Sequence, residues 1–184
     1  GEAIEAIRGN PGKFNYASVG SGSPHHLFME ALKAELGLSI QHVPYKGTQA
    51  AIPDLLTGGV QMMFADATVA VPNIQAGKVT PLGTSSAKPT TLVPGVPPIA
   101  ATVKGFDWEA WQGIVAPAAT PPAIVAKLAA ELQRIQSTPE FREQLRKFGM
   151  ESAPPHTPAE FAAIVAAEQP RWQKAVKDSG AKVD

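Results

Sequence analysis

The sequence predicts an α/β fold, a mainly parallel sheet flanked by helices, that passes into a helical C-terminal portion. Three observations carry this. Short apolar runs alternate with amphipathic helical stretches through residues 1–84, the rhythm of strand–helix units in a parallel sheet. Ser23-Pro24 joins the first such run to the first long helix. A serine oxygen there caps free N–H donors, and proline at the first helical position gives up no needed donor. Thr120-Pro121, Thr138-Pro139 and Thr157-Pro158 then place a cap residue before a proline three times in the last third, marking three helix starts.

Taken in order, Glu2-Ala3-Ile4-Glu5-Ala6-Ile7-Arg8 is helical in pattern with no cap before it, so the chain is expected to begin inside an element, as a processed or truncated polypeptide would. Gly9-Asn10-Pro11-Gly12 is a turn. Residues 14–19 form an apolar strand, followed by the turn Gly20-Ser21-Gly22-Ser23. The helix of residues 24–36 carries Leu27, Phe28, Ala31, Leu32 and Leu36 on one face and stops at Gly37. Residues 39–43 form a second strand that runs into Pro44-Tyr45-Lys46-Gly47-Thr48. The next helix ends at Gly58-Gly59, with Pro53 in its first turn or bending it.

Residues 60–64, apolar apart from Gln61, suggest a central strand buried on both sides. Asp66 and Thr68 open a short helix ending near Gly77, with Asp66 read as its cap in preference to a ligand contact, and residues 79–84 read as a further strand. A proline-rich irregular connection spans residues 88–105, and residues 106–116 read as a strand with an aromatic face. In the tail, Ile124, Val125, Leu128, Leu132 and Ile135 recur at helical spacing, Glu160 completes a capping box with Thr157, and Pro170 should kink or end the last helix. The tryptophans and tail phenylalanines read as core.

Composition narrows function. A chain of 184 residues at 44% hydrophobic can bury a core, as one mid-sized domain or two small lobes. Sixteen basic residues balance sixteen acidic ones, which gives no electrostatic reason to expect nucleic acid or an anionic membrane. The absence of cysteine excludes disulfides and thiolate metal sites.

Enzymatic motifs fail informatively. Gly20 and Gly22 match half of a dinucleotide fingerprint, but His25 stands at its third glycine and the next strand ends at Tyr45 and Lys46 with no acid. There is no Gly-Lys-Ser/Thr, and no serine of this turn has glycines two residues to either side. His25 and His26 diverge by about 100° on a helix, so they are not a metal pair, and His42 and His156 are isolated. A histidine with Ser21 or Ser23 and Asp66 would be the raw material of a hydrolytic site, the weakest of the readings. No cofactor and no metal are expected.

Binding fits better. Gly20, Ser21, Gly22 and Ser23 lie at the C-terminal end of one strand, Tyr45, Lys46, Gly47 and Thr48 at the end of the second, and Ala65 to Thr68, with Asp66, at the end of the third. Ligands of open α/β sheets bind beyond those ends. A helix start presents unpaired N–H groups and the positive end of the helix dipole, which suits a carboxylate or phosphate. On these residues alone an ordinary strand-to-helix turn remains the other reading of Gly20 to Ser23.

Read as ordered motifs, Phe14-Asn15-Tyr16-Ala17-Ser18, Gly20-Ser21-Gly22-Ser23 and His26-Leu27 resemble the solute receptors of tripartite tricarboxylate transporters, the Bug family. The likeness runs on through His42-Val43-Pro44-Tyr45-Lys46-Gly47, Asp54-Leu55-Leu56, Gly58-Gly59-Val60-Gln61-Met62-Met63-Phe64 and Pro72-Asn73-Ile74, and then through Thr84-Ser85-Ser86-Ala87-Lys88, Thr157-Pro158-Ala159-Glu160-Phe161 and Trp172. The resemblance implies a type II periplasmic binding protein fold, two α/β lobes closing on a small carboxylate. It implies that Gly20 to Ser23, with His25, contact the ligand carboxylate and that Tyr45, Lys46, Gly47, Thr48 and Asp66 line the same cleft. It also implies a periplasmic, non-enzymatic receptor that serves membrane transporter subunits, with no nucleic-acid partner.

Family members carry further chain before the position of Gly1, including the first lobe's own ligand loop. Residues 1–80 are therefore expected to form the second lobe, and residues 81–184 the crossover and the C-terminal portion of the first. With half the cleft elsewhere, weak or no ligand binding is expected of this polypeptide alone. Ala65-Asp66 departs from relatives with an acid directly after phenylalanine, which unsettles the register of Asp66. Dicarboxylates, tricarboxylates, amino acids and aromatic acids all suit such a cradle. The alternative role for the same fold is the effector-sensing domain of a regulator.

Overall fold

A computed structural model describes residues 1–182. The described chain runs α1 (Glu2–Arg8), β1 (Phe14–Ser18), α2 (Pro24–Leu36), β2 (Ile40–Pro44), α3 (Thr48–Thr57), β3 (Met62–Met63) and α4 (Ala67–Gln75). After a 3-10 turn at Ile99–Ala101 come α5 (Pro122–Gln136), α6 (Pro139–Lys147) and α7 (Pro158–Ser179). It divides into two compact units. The first is Gly1–Ala110 with the segment from Lys174 onward, and the second is Trp111–Gln173.

In the first unit the strands form one parallel sheet in the order β2-β1-β3. Its two faces differ because side chains alternate along β1. Tyr16 packs on one face with Ile7 of α1, Met29 of α2, Leu38 and Ile40. Ala17 packs on the other with Ala51 of α3 and Val60. Helices cover both sides, so β1 is buried from Tyr16 to Ser18. The order 2-1-3 makes β1 the central strand and β3 an edge among the described strands, which corrects the expectation that residues 60–64 run centrally. Val60 is fully buried, but beside Ala17 and Ala51 and ahead of a two-residue strand.

Local signals held. Ser23 caps α2 by accepting the His26 N–H at 3.3 Å, and Gly37 and Gly58 end their helices in the left-handed region. Two expected strands did not form because no continuous ladder pairs them. Residues 79–84 contribute only a bridge between Thr84 and Pro98, and residues 106–116 are irregular. Extended backbone becomes a strand only when a neighbour takes its hydrogen bonds. Pro53 sits in the interior of α3, beyond its first turn. Phe106 and Val103 are buried, and the Trp108 ring lies 6.0 Å from that of Phe28.

The second unit is helical. Thr138 caps α6, and Thr157 and Glu160 complete their capping box, with Thr157 N–H on Glu160 Oε2 at 2.7 Å and Glu160 N–H on Thr157 Oγ1 at 3.2 Å. Thr120 does not cap α5, whose first turn follows Pro121 without a side-chain cap. Pro170 does not end α7, which is helical through it. The Trp111 ring packs edge-on against Phe161 at 5.4 Å, and Trp111 and Trp172 both donate to Glu168 Oε2. No described residue of this unit is buried. Trp111 and Phe148 are exposed, which corrects the reading of every tryptophan and tail phenylalanine as core.

Candidate functional site

From β1 the chain passes through α2 to β2 on one flank of β1, whereas β3 lies on the other flank. The C-terminal ends of β1 and β3 thus bracket a topological switch point, where open α/β sheets bind ligands. Gly20 to Ser23 follow β1, Tyr45 to Thr48 follow β2, and Asp66 follows β3.

Asp66 ties these loops together. It stands at the N-cap position of α4 but makes no capping bond. Its Oδ2 accepts from Thr48 Oγ1 at 2.8 Å and its Oδ1 lies 3.4 Å from His25 Nε2. The preferred reading of Asp66 as a cap is thereby corrected: the carboxylate turns back over the strand ends. The His25 imidazole first, and the Thr48 hydroxyl after it, hold its carboxyl below the usual carboxylate range against the opposing effect of partial burial. Thr48 is buried, whereas the Asp66 side chain keeps 59% of its surface exposed. His25 Nδ1 is buried without a hydrogen-bond partner.

The turn itself is highly bonded. Gly20 and Gly22 have φ of 125° and 76°, a region closed to most side chains. Ser18 Oγ accepts from Gly20 N–H at 3.1 Å, Ser23 N–H and Oγ both donate to Gly20 O, and Gly22 N–H donates to His26 Nδ1 at 3.1 Å. Ser23 spends its one proton on Gly20 O and accepts from His26 N–H, so its hydroxyl is part of the frame. Among the described residues, the donors left over are the N–H and hydroxyl of exposed Ser21 and the N–H of His25 at the head of α2. Three donors thus stand beside the positive end of a helix, chemistry that suits an anion.

The remaining expected residues lie further out. Tyr45 N–H continues the β1–β2 ladder by donating to Ser18 O at 2.9 Å, and its phenol donates to Asp54 Oδ2 at 2.6 Å. That bond to a carboxylate raises the Tyr45 pKa. Lys46 is exposed, and Gly47, at φ 134°, turns the chain into α3.

Behind the turn lies a polar cluster that sequence spacing did not reveal. The rings of Tyr16, His42 and His26 stack, with His26 and His42 centroids 4.1 Å apart and those of Tyr16 and His42 4.9 Å apart. His42, isolated along the chain, has its Nε2 2.6 Å from Ser18 Oγ. Glu30 Oε1 accepts from Tyr16 OH at 2.5 Å and Lys33 Nζ at 2.6 Å. Burial first, helped by Glu30, drives the Tyr16 phenol far above its ordinary value. Burial lowers the His42 pKa to about 4 and, outweighing nearby Glu30, lowers that of His26. The available signal was register. Tyr16 pairs with His42 across β1 and β2, and Ser18 follows Tyr16 at the period-2 spacing of one face. Ser18 is fully buried and its oxygen is engaged on Gly20, so the Ser18–His42 pair is a frame for the turn.

Among the described residues no cluster of histidines and acids could hold a metal, and no helix is long and apolar enough to cross a membrane. Comparison with known proteins adds the family. The model for the tripartite tricarboxylate transporter family receptor matches residues 1–181. A Pseudomonas protein, the UPF0065 protein in tcbD-tcbE intergenic region, is 36% identical over 177 residues, covering 95% of this chain and 52% of its own. The chain thus spans about half the length of that curated relative. Among solved structures, R. palustris Rpa4515 with adipate superposes with a TM-score of 0.83 at 30% identity over 98% of this chain and 60% of the other. The periplasmic binding protein BugD gives 0.80 at 32% identity, over 98% and 61%. MatC from Rhodopseudomonas palustris with bound malate gives 0.78 at 31%, over 95% and 60%.

Proposed function

The chain belongs to the tripartite tricarboxylate transporter receptor family, and from that membership we propose that the protein is a periplasmic solute-binding receptor for a small carboxylate, non-enzymatic, that delivers its ligand to membrane transporter subunits. The observation that carries the reading is the meeting of three strand-end loops through Asp66, Thr48 and His25 beside the free donors of Ser21 and His25. Neighbours of the same fold that were solved with adipate and with malate support a dicarboxylate as the first ligand to try. The ligand's carboxylate sits against Ser21 and the head of α2, and Asp66 with His25 meets a hydroxyl or ammonium elsewhere on it. The effector-sensing alternative finds no support in the family matched.

In this reading residues 1–80 belong to the second ligand lobe, and residues 81–184 to the crossover and the C-terminal portion of the first. The bare apolar stripe of α5 (Ile124, Leu128 and Ile135) supports a face that other chain covers in the whole receptor. Calorimetry with adipate and malate tests the proposal. The full-length protein binds one of them at micromolar strength or tighter, and residues 1–184 alone bind weakly or not at all. Micromolar binding by residues 1–184 would sink the two-walled cleft, and a full-length protein indifferent to every class of carboxylate would sink the receptor.

A further inference from the structure

The stacked histidines lie behind the turn, and one of them bonds the turn's backbone. His26 lies on α2 with 4% of its surface exposed, and its Nδ1 accepts the Gly22 N–H at 3.1 Å. That bond requires a lone pair on Nδ1, so His26 is neutral with its proton on Nε2, which points toward Glu30 Oε1 at 3.9 Å. His42, stacked on it at 4.1 Å, holds Ser18, and Ser18 Oγ holds Gly20 through both its N–H and its carbonyl. The two glycines whose positive φ shapes the turn are thus each tied to one histidine.

Building on the carboxylate-receptor reading, we propose that His26 is a positioning residue for the ligand turn, which it holds through Gly22 only while neutral, so that acidification loosens the turn and weakens carboxylate binding. A proton on Nδ1 would face the Gly22 N–H donor to donor and break the bond. Two stacked imidazolium rings at this separation repel, so the first proton to enter the pair opposes the second. The groups facing His26 come from three elements: Glu30 and Lys33 on its own helix α2, His42 on β2, and Tyr16 with Ser18 on β1. Glu30 is already engaged by Tyr16 OH and Lys33 Nζ, which limits how far it can offset a new positive charge. The burial that lowers both histidine pKa values acts in the same direction.

The variant His26→Asn separates positioning from mere packing, because Asn Oδ1 can stand where Nδ1 stands and accept the same N–H without titrating. Two readouts on the full-length protein test the proposal. Without ligand, the protection of the Gly22 amide against hydrogen exchange, corrected for intrinsic rate, falls as pH drops from 7 through the burial-depressed titration of His26, in step with its imidazole nitrogen shifts. In His26→Asn the protection stays flat. With adipate or malate as the probe, affinity of the native protein falls about five- to tenfold over the same range, the worth of roughly one hydrogen bond. His26→Asn keeps near-native affinity at pH 7 and loses that step, whereas His26→Leu binds weakly throughout. Gly22 protection that ignores the His26 titration overturns the proposal, as does a His26→Asn protein with the native pH step. Should His26→Asn fail to fold, the native exchange and imidazole titrations alone decide. Protection that follows His26 in a protein binding no carboxylate supports the positioning role and overturns the receptor reading instead.

Discussion

Helices α2 and α5 are close in length, both begin beside a proline, and both carry an apolar stripe at helical spacing. On α2, Leu27, Phe28 and Met29 are 3%, 6% and 4% exposed, whereas on α5 Ile124 and Leu128 are 50% and 53% exposed. The difference lies in what each stripe meets. A parallel sheet receives α2 on its Tyr16 face, and α5 makes its helix contacts with α6. Amphipathic periodicity therefore states that a face needs cover without naming the cover. The histidine stack lies under that cover, with His26 4% exposed, and the Asp66 bridge anchors at its edge on buried Thr48.

Side-chain truncation tests that contrast most directly. Leu27→Ala costs about 2–5 kcal/mol, the usual range for a buried leucine, and Leu128→Ala in the same chain costs under about 1 kcal/mol, as at an exposed site. Denaturant melts of the two variants check this. In the full-length protein the two costs converge if residues from the remainder of the receptor cover α5. If Leu128→Ala stays harmless there, the assignment of this helix to the first lobe is wrong.

Acid acts on the covered region next. His42 takes up its proton near pH 6.5 when unfolded but only at about pH 4 when folded. A base whose folded pKa is depressed binds fewer protons in the native state, so stability is complete above pH 6.5 and declines as pH falls from 6.5 to about 4. The loss is on the order of 2–3 kcal/mol. His26, displaced the same way, adds to it. Asp66 acts lower down: its depressed carboxyl contributes stability that is present above the ordinary aspartate value and lost as pH falls through the folded one. Melting temperature against pH measures both, and His42→Asn flattens the upper limb. A native curve level between pH 7 and pH 4 would overturn the claim.

At the turn, Gly22→Ala forces a side chain into φ 76° with its Cβ 3.8 Å from Ala181 Cβ, an ordinary contact. The penalty is therefore one of backbone conformation, about 1–2 kcal/mol. Carboxylate affinity falls with it, because the Gly22–His26 bond needs the same geometry. A melt and a titration of the one variant check both halves.

What the sequence disclosed follows the range of each interaction. Caps at Ser23, Thr138 and Thr157 and glycine stops at Gly37 and Gly58 were legible because each is settled within a few residues. The parallel α/β class was legible from alternation. Residues 79–84 and 106–116 have strand composition, but pairing is decided by distant chain, and what reached them were a bridge between Thr84 and Pro98 and isolated bonds such as Trp108 N–H to Ser85 O at 2.9 Å, too few for a ladder. The loops of the candidate site were legible as strand ends, whereas the turning of Asp66 onto Thr48 and His25 was not, since a cap and a bridge need the same residue at the same position. The His42–Ser18 contact depends on register between strands 24 residues apart, which spacing along one chain does not display.

The smallest effect separates structure from function most cleanly. Ser23 and Thr157 perform the same act in the two units, each offering a side-chain oxygen to an N–H three residues on, at 3.3 Å and 3.2 Å. Ser23→Ala and Thr157→Ala should each cost about 1 kcal/mol of stability. Ser23 also donates to Gly20 O at 2.7 Å, so its loss frees one corner of the turn whose other corners rest on Ser18 and His26. Binding of adipate or malate by the full-length protein should therefore weaken severalfold in Ser23→Ala and stay unchanged in Thr157→Ala. Equal affinity in the two variants would mean that the turn's geometry is held without Ser23, and its role would reduce to that of an ordinary helix cap.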